Sequence, residues 1–187
     1  LHVEVCARRS AGVFSDWCGF VWRDYDITGT GDSDIEGTIY EVPDFVGNDI
    51  GINYCDAIPN STGDAGEIHA SGSAHAGSEP MSMTALRLPP NVNGYFIGSP
   101  STGNALPPLS SGRVCVGNPL SRFNGMGQVM NSGPEGRFTA SIDTEAIPLP
   151  GGGTRAITAG QTFHFQAWFR DGSTNNLTDA TSVFFWL

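Results

Sequence analysis

"TFHFQAWFR", Thr162 to Arg170, is the stretch on which the fold turns. Successive side chains of an extended strand point to opposite faces. Phe163, Phe165, Ala167 and Phe169 therefore share one face, and Thr162, His164, Gln166, Trp168 and Arg170 share the other. A helix would mix the two sets. The run predicts a strand lying on a core, and Asp171, Gly172 and Ser173 after it predict a turn. The cluster of His, Arg, Asp and Trp invites a catalytic reading, but the alternation assigns it to a strand surface. Arg170 with Asp171 or Asp179 reads as an ion pair that fixes a loop.

Working outward, the same period recurs. "GEIHASGSAHAG" sets Ile68, Ala70, Gly72 and Ala74 against His69, Ser71, Ser73 and His75. "RFTASIDTEAI" sets Phe138, Ala140 and Ile142 on one face. "MSMTALRLPP" is stopped by its double Pro, and "GYFIGSP", "GRVCVG" and "SVFFWL" are further short apolar runs. Gly (25) and Pro (12) make up about a fifth of the 187 residues and punctuate these runs. No window holds a sustained helical spacing of apolar residues. The expectation is an all-β protein, an antiparallel β-sandwich of the jelly-roll or immunoglobulin-like kind spanning 53–187.

Residues 1–52 read differently, as an acidic N-terminal arm that bears strands of its own. "LHVEV" places Leu1, Val3 and Val5 on one face, "GFVWRDYDI" is aromatic and β-prone, and "GTIYEVPDF" is a strand stopped at Pro43. Residues 1–50 carry ten acids and three Arg, a net of −7, and 51–187 carry nine acids and six Arg, a net of −3. The whole chain has net charge −10 and no Lys, a surface that repels nucleic acid and anionic membranes. No apolar stretch reaches the roughly 18 residues of a membrane span, so membrane insertion is not expected. The absence of an initial Met at Leu1 fits a processed chain or a fragment.

The four cysteines, Cys6, Cys18, Cys55 and Cys115, form no CxxC. Two disulfides in an oxidising compartment are expected, and of the three connectivities Cys6–Cys18 with Cys55–Cys115 is the one adopted here. The sequons at Asn60 and Asn176 fit an exported protein and are glycosylation candidates.

Several strings occur together in a recognisable order: "NYCDAIPNSTG", "MTALRLPPNVNGYFIGS", "GRVCVGNPLSRFNGMGQVMNSGPEGRFTASIDTEAIPLP" and "ITAGQTFHFQAWFRDGSTNNLTDATSVFF". From about Ile52 to Leu187 the chain resembles a β-domain found at the C-terminal end of secreted surface proteins of planctomycete-like aquatic bacteria. The resemblance implies an extracellular, non-catalytic, disulfide-bonded domain in which Cys55 pairs with Cys115. It carries no catalytic residues over to this chain.

The remaining candidates are weighed one by one. His69 and His75 lie about 20 Å apart along one strand, too far to share a metal without a bend. "DYDITGTGDSDIEG" offers Asp24, Asp26, Asp32, Asp34 and Glu36, hard oxygen ligands that could wrap a calcium ion. Their spacing is not that of an EF-hand, and a solvated acidic turn is the plainer reading; no other cofactor is expected. Trp17, Trp22, Trp168, Trp186 and Tyr95 could stack on sugar rings if exposed. No GxSxG, HExxH or Walker loop is present, so an enzyme is not expected. The functional expectation is an extracellular structural protein at the cell surface, a subunit that self-assembles head to tail into a fibre by strand addition. Leu1, Val3 and Val5 of the arm, and Val183, Phe185 and Leu187 of the last strand, are the expected assembly residues. The alternative is a non-catalytic accessory or carbohydrate-binding module of a larger secreted protein.

Overall fold

The computed structural model describes residues 49–77 and 81–187, together with the backbone of 3–6 and 18–21. All regular structure among these residues is β, and every strand pair is antiparallel. The chain divides into two compact units, Leu1–Glu41 and Val42–Leu187. In the first, β1 (Val3–Cys6) pairs with β2 (Cys18–Val21), and the register sets Val3 opposite Val21 and Cys6 opposite Cys18. That backbone pairing is the one a Cys6–Cys18 bridge needs; the sulfurs, and Leu1, lie outside the described residues. The acidic stretch Asp24 to Glu36 also lies outside them, as do Trp17 and Trp22.

The second unit is sandwich-like. Its larger sheet takes the order β10 (Met130–Asn131), β6 (Asn93–Ser99), β14 (Thr162–Asp171), β15 (Thr174–Phe184), β3 (Ile52–Tyr54), with β9 (Ser121–Arg122) beside β10 on β6. The smaller sheet is β11 (Phe138–Ile142), β5 (Met81–Leu86), β4 (Glu67–Ser71). The alternation read from sequence fixes what lies between them. Phe163, Phe165, Ala167 and Phe169 of β14 are fully buried, and they meet Ile68, Met81, Met83, Ala85, Phe138 and Ile142 from the smaller sheet in one core. Phe138 packs edge-on against Phe96, with ring centroids 5.2 Å apart. Gly94 permits this, since a Cβ there would sit 2.6 Å from the Phe138 ring. So β11 lies over β6.

A third, thinner layer covers the outer face of the larger sheet. β7 (Thr102–Ala105) and β8 (Val114–Val116) pair there, and Val116 joins Ile97 and Leu177 in a small second core. The Cys55–Cys115 disulfide ties this layer to the end of β3. Gln166, expected on a solvent face, is therefore fully buried. Its Nε2 donates to the carbonyls of Arg113 and Thr178, and its Oε1 accepts from the Cys115 amide at 2.9 Å.

Candidate functional site

A sheet exposes unpaired N–H and C=O groups at each of its two edges, and a folded protein must manage them. The two facing sheets have four edges. Three are closed. β9 and β10 are two residues each, too short to template a long partner. Beside β15, β3 pairs with Ala180–Ser182, and loops take the rest: Asn175 N donates to Leu109 O, Asp179 N to Gly66 O, and Trp186 N to Ala74 O. The β4 edge is covered by the segment that leads into β3. Ile50 N donates to Ala70 O, Asn53 Nδ2 to Ile68 O, and Asp179 Oδ1 accepts from Ile68 N at 2.8 Å.

The fourth edge is the outer side of β11. Among the described residues, none of its five backbones bonds to anything but β5, and no side chain reaches its amides or carbonyls. The ladder with β5 is regular, running from Phe138 opposite Ala85 to Ile142 opposite Met81 without a bulge. The strand reads Phe-Thr-Ala-Ser-Ile, with no Pro and no charge. Phe138 and Ile142 are buried, Ala140 is half-buried, and Thr139 and Ser141 are exposed. Each usual device against edge pairing is absent here: the short strand, the bulge, the Pro and the edge charge.

Asp179 is the titrating centre of the opposite, closed edge. Burial pushes its carboxyl up to about 6, Glu67 adds repulsion, and the Ile68 amide, Asn53 and His69 oppose the rise. Nearby, His69 lies 3.3 Å from Asp49 and 3.8 Å from Glu67. Burial also lowers the pKa of His164, whose Nδ1 shares a hydrogen bond with Ser182, and raises Tyr54 to about 12. The Tyr54 hydroxyl donates to the Cys115 carbonyl. These groups tie strands and loops together.

The other residues singled out from the sequence fall as follows. Arg170 pairs with neither Asp171 nor Asp179, which corrects that expectation. Its Nη1 donates to Asn175 Oδ1 and its guanidinium lies over Trp168. Neighbouring strand residues face opposite ways, so Asp171 turns inward and accepts from Ser61 N instead. Tyr95 and Trp168 are half-buried, their tilted rings lie 4.9 Å apart, and the Arg170 guanidinium lies over Trp168. Among the described residues no group of three His, Cys, Asp or Glu could hold a metal ion.

Asn60 is 7% exposed, with Nδ2 bonded to Arg87 O and Oδ1 to the Thr62 amide and hydroxyl. Asn176 is fully buried in β15. A sugar at either Nδ2 would have to break into packed structure. Val183 and Phe185 are fully buried in the sandwich's own core, so they present no surface to a partner. Leu187, Trp186 and Phe184 are exposed, at 89%, 47% and 54%. Sequence reasoning missed the β11 edge. Its alternation is legible in "RFTASIDTEAI", but which strand ends a sheet depends on non-local pairing. No protein-family model, curated protein or solved structure matches the chain.

Proposed function

We propose that the protein is an extracellular structural subunit that assembles into a surface fibre by strand addition between copies, with the strand-bearing N-terminal arm as the donor element. The observation that carries this reading is the regular, uncharged outer edge of β11, which has no partner among the described residues. Alternate residues of a strand direct their backbone groups to one side, so five residues offer roughly four to six hydrogen bonds to an incoming strand. Each is worth about 0.5–1.5 kcal/mol net, and each apolar side chain buried at the joint adds about 1.5–3 kcal/mol. Against these stand the costs of association. The joint is therefore weak singly and holds in an array.

The disulfide Cys55–Cys115 supports an oxidising compartment. Electron microscopy and sedimentation of the purified full chain test the proposal. Filaments are expected for the intact protein and none after deletion of residues 1–18. A protein that stays monomeric at high concentration, or a truncated one that still forms filaments, overturns it.

A further inference from the structure

We infer that the strand received by the β11 edge is β1 of a second copy, arriving with β2 still paired to it. The three-stranded sheet of one copy then becomes five-stranded across the joint. This inference rests on the fibre reading above and names its two contacting strands.

The first argument is pattern. β11 directs Phe138, Ala140 and Ile142 toward the core and Thr139 and Ser141 toward solvent. A strand added beside it must continue both faces. β1 reads Val-Glu-Val-Cys, with Val3 and Val5 alternating with Glu4. Laid along β11, it sets the valines next to the half-covered Ala140 and Glu4 among the hydroxyls. A slip of one residue would turn Glu4 onto the core, so the pattern also fixes the register.

β2 does not fit the same edge. It reads Cys-Gly-Phe-Val, a sequence without the apolar–polar–apolar alternation that would continue the two faces of β11. Gly19 also weakens it as an added strand.

The second argument is need. β1 and β2 form a two-stranded sheet with no third strand among the described residues, and an isolated pair is marginal in water. Among the described residues β1 has no partner but β2, and β11 has none but β5. Four residues of β1 against five of β11 match in length. Each chain then carries one donor edge and one acceptor edge on different units, a heterologous contact that propagates head to tail.

Two full-length variants and their mixture test this. Thr139→Glu with Ser141→Glu places negative charge at two exposed positions of the acceptor edge, beside the place Glu4 would take, and leaves β1 intact. Val3→Glu with Val5→Glu spoils the donor face and leaves β11 intact. Circular dichroism and the retained Cys55–Cys115 bridge check that each variant is folded. Wild type is expected to form filaments, and each variant alone to sediment as a monomer. Mixed one to one, the variants can make a single joint, so the expected species has twice the monomer mass and grows no further. Filaments from the Thr139→Glu, Ser141→Glu variant would show that β11 is not the acceptor, and a mixture that stays monomeric would show that β1 is not its donor. In both cases the wild-type filaments keep the fibre reading alive. A wild type that is itself monomeric overturns the inference and the fibre reading together.

Discussion

Replacing Gln166 by Met should release the outer layer from the larger sheet. The two side chains are close in length and volume, so the change removes hydrogen bonding without opening a cavity. Three partners lose their bond: the Cys115 amide and the Thr178 carbonyl, both buried, and the partly buried Arg113 carbonyl. A buried group left unsatisfied costs about 1–3 kcal/mol. Two such groups plus part of a third, less what is gained by no longer burying an amide, give a net loss of about 3 kcal/mol. For a unit of this size that lowers Tm by roughly 6–12 °C. Urea unfolding followed by Trp fluorescence measures the loss directly, and an unchanged m-value would confirm that the same surface is exposed on unfolding. The layer should also open locally, so reduction of Cys55–Cys115 under native conditions should quicken. A loss below about 1 kcal/mol with unaltered reduction would refute the account of Gln166 as the latch between β8 and the sheet.

Three further outcomes are expected. The raised carboxyl of Asp179 contributes stability that is fully present below its ordinary value of 3.8 and is lost as pH rises through about 6. Wild type should therefore lose stability relative to Asp179→Asn across that window, and parallel stability–pH curves for the two would sink the argument. Residues 1–41 carry eight acids and three Arg, and 42–187 carry eleven acids and six Arg, so each unit nets −5. Approach of donor to acceptor is then opposed by like charge, and raising salt from about 0.01 M to 0.15 M shortens the screening length from about 30 to 8 Å. Light scattering should show faster assembly at the higher salt; slower assembly would contradict the electrostatic reading. Finally, the intact mass should equal the bare sequence less the disulfide hydrogens, because the Asn60 and Asn176 amides are packed away; a mass higher by a glycan would overturn that.

The two faces of β14, the inward set of β4 and the inward set of β11 were all legible in the sequence, because a period of two needs only local geometry. What lay on the outer face was not. Gln166 sits among residues that alternate correctly and still ends up buried, because β8 arrives from 51 residues away in sequence to cover it. Arg170 was misassigned for a related reason: charge suggested an Asp partner, whereas the strand register set it opposite Asn175. The "NNLT" string, which carries the Asn176 sequon, lies within β15, because the turn is complete at Gly172–Ser173 and the hairpin register carries Asn175 and Asn176 into the ladder.

The candidate site shows the limit most clearly. Phe138, Ala140 and Ile142 could be read as one buried face, but nothing in five residues says whether a strand has one neighbour or two. A central strand and a bare edge strand share the same alternation. The distinction comes from strands 50 or more residues away, β5 on one side and none of the described strands on the other. An edge that is meant to stay solvated normally carries a local mark, a Lys, a Pro or a bulge. Here the local sequence has none, and that silence becomes informative only once the topology shows that β11 is an edge. The same five residues that could not announce their position in the sheet are, once placed, an edge with no local defence and no second partner among the described residues, which is the backbone that strand addition requires.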